Sequence, residues 1–223
     1  ACMWVKTIVL RAHYNGLIPR NPFAQFRITP NVKEREYLTE GEIRQLIEHE
    51  FTDATLAFTR DLFVFACFTA LSFADIRELT TDDIMDVNGE KWIISKRHKT
   101  GVPFQVKLLD IPLQIIGKYR PFQKDNSVFG EINYWSICKK LKNVIRECNI
   151  NKQISFHVAR HTFGTLALSK GMPIESVSRV LGHTNIKTTQ IYAKITTQKL
   201  GNDLTAFGNQ LNRTFGNIKV AGV

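Results

Sequence analysis

Several features that would assign a protein to a common class are scarce or missing in this sequence of 223 residues. There are four cysteines, at positions 2, 67, 138 and 148, and no two of them form a CxxC pair. We therefore interpret them as reduced core residues, not as a disulfide framework or a zinc site. No apolar run reaches the ~20 residues that span a bilayer, and the N-terminus has no cleavable signal pattern. We expect a cytosolic protein without a membrane segment.

Acidic residues are also few relative to basic ones. The chain has 20 Asp and Glu against 30 Lys and Arg, which gives a net charge of +10. An excess of this size predicts a polyanionic partner, most simply nucleic acid. The alternative is a basic surface that is merely solvated. The apolar share of 43% is that of an ordinary folded globule, which argues against disorder.

The spacing of the apolar residues predicts a mainly α-helical fold with one small sheet. Residues 84–112 alternate around an Asn-Gly turn, as in a three-stranded antiparallel sheet. Earlier in the chain, Thr39 and Glu42 match a helix-opening capping box, and residues 53–69 have the pattern of a long buried helix. Further helices are expected at about 112–120, 133–148, 156–170, 173–181 and 186–195, before a weakly apolar tail over 203–223.

The stretch "SFHVARHTFGTLAL" places an imidazole and a guanidinium close together near the start of a helix. His157 and Arg160 are three residues apart, after Ser155 as N-cap, so they share one face. The free N–H groups at that helix end suit an anion such as a phosphate. The alternative is a histidine that caps the helix and an arginine that pairs with a carboxylate. A zinc site through His157 and His161 lacks the glutamate of HExxH.

Two further stretches carry isolated polar side chains with more than one interpretation. In "LGHTNIKTTQIYAKI", His183 follows a glycine stop and Tyr192 comes nine positions later. The phenol of Tyr192 either packs a helix face with Ile186 and Ile191 or takes part in chemistry. In "SKRHKTGVPF", Lys99 lies at the tip of a hairpin loop, where a lysine is either solvated or reaches a ligand.

In this order, these stretches resemble the tyrosine recombinases, or phage-type integrases, over about residues 38–197. The finer resemblance is to integrases of conjugative transposons. It implies a catalytic domain over 38–200, preceded at 1–37 by the end of a core-binding domain with its linker. Because the chain begins within a helical pattern, we expect a fragment of a longer protein. The resemblance implies that the tail, 201–223, docks on a neighbouring protomer. It also implies double-stranded DNA as partner, a homo-oligomer (a tetramer in synapsis), and a location on DNA in the bacterial cytoplasm.

The resemblance also implies a role for each residue of the motifs. Tyr192 would attack a phosphodiester to give a 3′-phosphotyrosyl link, and Lys99 would protonate the leaving 5′-oxygen. His157 would act as base or proton shuttle for the tyrosine. Arg160 and His183 would hold the non-bridging oxygens, where charge develops in the transition state. No metal and no cofactor is expected, because neither a cluster of metal ligands nor a phosphate-binding Gly-rich loop is visible in the sequence.

One position departs from the family pattern. Ser72 stands where the family has its first arginine, and Asp75 matches the acidic residue that usually follows. Ser72 and Asp75 also look like a plain helix N-cap with a first-turn acid. For a role in catalysis, either another arginine compensates, with Arg60 preferred over Arg77, or the Ser72 hydroxyl itself donates one hydrogen bond. The alternatives for Arg60 are an ion pair with Asp61 or Asp75, or a solvent-facing position.

A basic helix, "KKLKNVIRE", is a candidate contact for the DNA backbone, although plain solvation explains it equally well. Its basic residues are Lys139, Lys140, Lys142 and Arg146. Such contacts set affinity and register but not sequence choice. Two other functions remain open at this point. One is a type IB topoisomerase-like nicking-closing enzyme, and the other is a DNA-binding relative with a weak or inactive site.

Overall fold

The chain divides into two compact units, Ala1–Glu34 and Arg35–Val223. In this computed structural model, residues 2–25, 36–122, 125–192 and 197–216 are described. The first unit contains one helix, α1 (Cys2–Tyr14), within its described residues. In the described part of the chain, no helix combines the length and the apolar character that crossing a bilayer requires.

The second unit is mainly helical and contains a three-stranded antiparallel sheet, as the sequence predicts. Its helices are α2 (Glu40–Glu48), α3 (Ala54–Thr69), α4 (Phe73–Arg77), α5 (Asp110–Tyr119), α6 (Tyr134–Glu147), α7 (Phe156–Ser169), α8 (Ile174–Leu181), α9 (Lys187–Gln190) and α10 (Thr197–Phe215). The strands are β1 (Ile84–Val87), β2 (Glu90–Lys96) and β3 (Pro103–Lys107), in the order β1-β2-β3. The predicted capping box at the start of α2 is present, since Thr39 and Glu42 exchange side chain-to-backbone hydrogen bonds.

Helix α3 forms the centre of the core, where it contacts α2, α5, α6 and α7. It is apolar on nearly all sides, which is expected of a helix surrounded by other elements. Phe63 packs edge-to-face on Phe156 of α7, and Phe65 does the same on Phe129. The helix ends at Ala70, whose φ of 56° is left-handed. Ala70 is fully buried, so this end of α3 lies in the interior of the domain, where its last carbonyls need partners.

The C-terminal elements differ from the sequence prediction. The helix expected over 186–195 is only the short α9, and its predicted end at 193–195 lies outside the described residues. The tail expected to be weakly apolar instead forms α10. Its apolar residues recur at positions 200, 204, 207 and 211, all of them exposed, which is the spacing of one helix face.

Arg60 is engaged in the core and does not reach the place of the family's first arginine. Its Nε donates to Asp61 at 2.6 Å, which is the ion pair that the sequence left open as an alternative. Its Nη1 donates to three carbonyls at the end of α2, those of Leu46, Ile47 and His49. Ten residues of helix separate Arg60 from Ala70, a rise of about 15 Å. The expectation that Arg60 compensates for Ser72 is therefore corrected.

We predict that Arg60→Ala destabilises the fold. The substitution leaves Asp61 with less compensation and removes the donor to three helix-end carbonyls, so the free energy of unfolding should fall by about 3 kcal/mol. Arg77→Ala is the matched control, because Arg77 is exposed and pairs with its exposed neighbour Glu78; it should cost less than about 0.5 kcal/mol. Urea unfolding measures both, and equal midpoints for Arg60→Ala and wild type would contradict the assignment.

Candidate active site

Helix α7 carries most of the motif residues on one face. His157, Arg160, His161 and Gly164 follow the spacing that puts side chains on one side of a helix. Phe156 and Ala159 are buried in the main core, which fixes the helix against α3. The motif face is consequently held in place by packing on the neighbouring positions of the same helix.

Arg160 is positioned by the ends of two other helices. Its Nη1 donates to the carbonyl of Ala70, the C-cap of α3, and its Nη2 donates to the carbonyl of Leu181 at 2.6 Å, the last residue of α8. Carbonyls at helix C-termini lack intrahelical partners and carry the negative end of the helix dipole. Burial and the neighbouring Arg97 lower the pKa of Arg160 to about 10, so it stays protonated at neutral pH.

A second guanidinium, that of Arg97, lies in the same interior, and the sequence analysis missed it. Arg97 is only 6% exposed. Its Nη1 donates to Asp75 Oδ2 at 2.8 Å, its Nη2 donates to the carbonyl of Val180, and its Cζ lies 4.0 Å from the Phe104 ring centroid. Its buried Nε has no hydrogen-bond partner among the described residues. A buried donor without a partner is costly, which suits a site that receives an anion.

Ser72 and Arg97 converge on one carboxylate oxygen. Ser72 Oγ donates to Asp75 Oδ2 at 2.8 Å, the oxygen that Arg97 also contacts. Ser72 is at the same time the N-cap of α4 and forms a capping box with Asp75, as the structural interpretation of the sequence expected. Burial raises the pKa of Asp75, but the His98 N–H and the charge of Arg97 together hold it below its ordinary value. Arg97, which lies just beyond β2 and 25 residues later in sequence, thus places a guanidinium beside position 72.

Arg77, the second choice for compensation, lies elsewhere. It is exposed and pairs with Glu78. A signal for Arg97 does exist in the sequence: residues of a strand alternate between faces, and Arg97 continues the inward face of Ile93 just beyond β2. An arginine at an inward position requires partners. The sequence alone does not show that these are Asp75 and Val180.

His183 is neutral at physiological pH. It follows Gly182, whose φ of 64° ends α8, and its Nδ1 lies 2.9 Å from Thr189 Oγ1. Burial, together with the charges of Arg160 and Arg97 and the nearby His157, lowers the pKa of His183 to about 4. If Thr189 donates to Nδ1, Nε2 carries the proton and is a neutral donor.

Tyr192 is buried beside these groups, at 9% exposure. Its Oη lies 2.7 Å from Nδ1 of His161, and its ring is nearly parallel to that of His183, with centroids 6.5 Å apart. The two isoleucines expected to share its packing face, Ile186 and Ile191, are exposed. The ring of Tyr192 instead packs in a small buried apolar cluster with Ala70, Leu168, Val177 and Leu181, while its hydroxyl contacts His161. Packing with Ile186 and Ile191 therefore does not account for its position.

His157 and Lys99 lie at the exposed side of this group. The His157 ring is exposed and contacts that of His161, with centroids 4.4 Å apart. Lys99 is exposed on the loop after β2. Because two residues of chain span at most about 7 Å, the buried Arg97 keeps the backbone of Lys99 near the site. The structure thus brings Arg160, His183 and Tyr192 together, adds Arg97, and leaves Lys99 on a nearby loop.

The predicted DNA-contacting helix is α6. It buries an apolar face that includes Ile137 and Leu141 and presents basic side chains elsewhere. Lys139, Lys142 and Arg146 are exposed at helical spacing, whereas Lys140 is half-buried and attracts the carboxylate of Asp53. Three of the four predicted residues therefore form one exposed basic face.

The sequence that forms this site also matches a known protein family. Residues 36–199 match the phage integrase family. The chain belongs to that family. The match includes every motif residue of the site, from Ser72 to Tyr192.

Curated relatives in this family are named tyrosine recombinases. XerA of Saccharolobus solfataricus is 30% identical over 139 residues, which are 61% of this chain and 47% of that protein. A tyrosine recombinase of Thermosipho africanus is 25% identical over 192 residues, which are 83% of this chain and 66% of that protein. The chain spans between about half and two thirds of the length of these relatives.

Solved structures agree on the fold. The Tn1549 transposon integrase in complex with circular intermediate DNA matches with a TM-score of 0.72 at 18% identity, covering 89% of this chain and 75% of that one. A lambda integrase dimer bound to a core site matches with a TM-score of 0.67 at 16% identity, covering 84% and 69%. The second unit therefore has the fold of a tyrosine recombinase catalytic domain.

We predict that His183 makes the fold sensitive to acid. Its folded pKa of about 4 lies below the ordinary 6.5. Between these pH values the unfolded chain binds a proton at His183 that the native chain does not. The contribution of neutral His183 to the free energy of unfolding is therefore complete above pH ~6.5 and is lost as pH falls towards ~4. His183→Asn retains an amide near Nδ1 but does not titrate. Urea unfolding at several pH values should show a wild-type advantage that shrinks on acidification; parallel curves would contradict the assignment.

Proposed function

We propose that this chain is the catalytic part of a site-specific DNA recombinase, which cleaves and rejoins DNA through a 3′-phosphotyrosyl intermediate. The observation that carries the proposal is the buried Tyr192, whose hydroxyl contacts His161 and whose ring lies nearly parallel to the neutral imidazole of His183. The charge of the Arg160 guanidinium also acts on this tyrosine. A nucleophile, a fixed cation and a neutral donor are what transesterification of a phosphodiester requires.

In the proposed reaction, Tyr192 Oη attacks the phosphorus of a DNA phosphodiester. A bond forms from the phenol oxygen to phosphorus, the phenol proton passes to a histidine of α7, and the bond from phosphorus to the 5′-oxygen breaks. Lys99 on its exposed loop gives a proton to that leaving oxygen, while Arg160 and His183 donate to the non-bridging oxygens. The new ester conserves the energy of the broken one, so the 5′-hydroxyl reverses the step without ATP.

Arg97 is proposed as the second cation at the phosphate, in place of the arginine that Ser72 replaces. Three features support this role: the contact on Asp75 that Arg97 shares with Ser72, the effect of its charge on Arg160 and His183, and the Nε that has no partner among the described residues. Asp75 and the carbonyl of Val180 fix the guanidinium before substrate arrives, so little reorganisation is needed in the transition state.

DNA binding is proposed to combine the net charge of +10 with the exposed basic face of α6. Lys139, Lys142 and Arg146 would contact backbone phosphates, with Lys140 contributing less because it is half-buried. Several structures with this fold, including that of the Tn1549 transposon integrase, are complexes with DNA. Affinity should therefore weaken steeply with salt, because bound phosphates release counterions.

Assembly and biological context follow from the same proposal. We place the enzyme on DNA in the bacterial cytoplasm, as a homo-oligomer that forms a tetramer in synapsis. The exposed apolar face of α10, formed by Leu200, Leu204, Phe207 and Leu211, is proposed to dock on a neighbouring protomer. The likeness to the Tn1549 transposon integrase supports integration or excision of a mobile element of the conjugative-transposon kind.

The test is covalent capture on a nicked suicide substrate, whose cleaved fragment diffuses away. The wild-type chain should form a protein–DNA adduct in EDTA and without ATP, and Tyr192→Phe should form none while binding the DNA equally well. Tyr134→Phe, at an exposed tyrosine of α6, is the matched control and should react at the wild-type rate. An adduct from Tyr192→Phe at wild-type yield would contradict the assignment.

The same substrates separate the two alternatives. Relaxation of supercoiled plasmid without strand exchange between two sites would indicate a type IB topoisomerase-like enzyme. A gel shift without any adduct from the wild-type chain would indicate a DNA-binding relative.

A further inference from the structure

We propose that His161, and not His157, takes the proton from Tyr192 during DNA cleavage. The proposal rests on the proposed function, since it concerns the nucleophile of that reaction. His161 was not among the residues to which the family resemblance gave a role. Its contact with the reacting oxygen is what singles it out.

The first support is the hydrogen bond itself. Nδ1 of His161 lies 2.7 Å from Tyr192 Oη in the interior, and His161 is only 4% exposed. A general base must lie within hydrogen-bond reach of the proton that it removes, about 2.6–3.2 Å between heavy atoms. Removal from water makes this contact stronger and better defined than one at the surface.

The second support is the fit of the tyrosine ring against α7. A Cβ on Gly164 would lie 2.9 Å from Cδ2 and 3.1 Å from Cγ of Tyr192, so only glycine leaves room for the ring in this place. Gly164 is three residues after His161 on the same helix face. Because the ring rests on Gly164, its hydroxyl reaches one helical turn back to His161. The glycine and the histidine together fix the position of the phenol oxygen.

The proton balance of the step is simple. With His161 in the tautomer that is protonated at Nε2, Tyr192 donates its hydrogen bond to Nδ1. As the phenol oxygen bonds to phosphorus, its proton moves to Nδ1 and leaves an imidazolium. Lys99 separately supplies a proton to the leaving 5′-oxygen and becomes neutral. The cation of Arg160 attracts the developing phenolate, which favours the transfer.

His157 then has a different place in the reaction. It is exposed, and its ring contacts that of His161, so it lies between the buried imidazole and solvent. A proton held by His161 can return to water by way of His157. Among the described residues, the other charged or titratable groups near the pair are Arg160 on the same helix, His183 against the tyrosine ring, and Arg97, whose charge acts on both.

The test is the pH dependence of single-turnover cleavage on the suicide substrate. Wild type should reach a plateau once the base is neutral. His161→Asn keeps an acceptor near the Nδ1 position but takes up no proton. We expect it to cleave about 10²-fold more slowly or worse at pH 7, with a rate that keeps rising towards pH 9 because the phenol must then ionise unaided. His157→Asn, one helical turn before His161, is the matched control. It should keep the plateau and lose less of the cleavage rate.

Three outcomes would overturn the proposal. Faster cleavage by His161→Asn would mean that His161 restrains the tyrosine, and an equal loss at every pH would mean that it only positions the ring. Loss of the plateau in His157→Asn alone would make His157 the base. Tyr192→Phe must abolish the adduct in the same assay. If it does not, the proposed function itself has failed, and that failure is distinguished from a failure of the proposal for His161.

The tautomer of His161 can be measured on the wild-type chain, so this second test does not depend on how the histidine variants fold. Nitrogen-15 NMR of the imidazoles should show His161 protonated at Nε2, with an Nδ1 resonance that shifts in Tyr192→Phe. A proton on Nδ1 in the wild-type chain, donated to the phenol oxygen, would overturn the proposal.

Discussion

Two guanidiniums lie in the interior of the domain, held by carbonyls at the ends of helices. Arg160 is bound by the last carbonyls of α3 and α8, and Arg97 by the end of α8 and by Asp75. Burying like charges near each other is unfavourable unless partners compensate. Here one carboxylate and several backbone dipoles do so only in part, as the lowered pKa values of both arginines indicate. A phosphate between them would complete the compensation.

The surrounding site depends on this arrangement. Burial and the two cations together lower the pKa of His183, so it is neutral and can donate a hydrogen bond without adding charge to the site. Gly182 must be small as well as left-handed, because a Cβ there would lie 3.0 Å from Nε of Arg97. One glycine, Gly182, thus lets α8 end against a guanidinium, and another, Gly164, lets the Tyr192 ring rest on α7. In both places the missing side chain makes room for a polar group that the proposed chemistry uses.

The sequence predicted the features that local patterns encode. The antiparallel sheet followed from alternation around an Asn-Gly turn, and the motif blocks identified His157, Arg160, His183 and Tyr192, which the fold then brings into one region. The site of Arg97 was not predictable in the same way, because its partners lie 22 and 83 residues away in sequence.

Other features of the structure were predicted wrongly or not at all from the sequence. The prediction that Arg60 replaces the missing arginine was wrong, because its contacts with the carbonyls at the C-terminal end of α2 are visible only in the tertiary structure. Helix α10 was missed although its apolar residues have helical spacing, since the stretch is polar overall and its apolar face remains exposed. The contact between His161 and Tyr192 likewise joins two elements that sequence spacing does not relate.

The central claim is that Arg97 supplies the guanidinium that position 72 lacks. The most direct measurement compares the cleavage rates of wild type, Arg97→Ala, and Arg97→Ala combined with Ser72→Arg, on chains shown to be folded and to bind DNA. Loss of one transition-state contact should slow Arg97→Ala by about 10²–10³. An arginine at position 72, next to the same oxygen of Asp75, should recover at least about tenfold of that loss. A wild-type rate for Arg97→Ala, or no recovery in the double variant, would contradict the account.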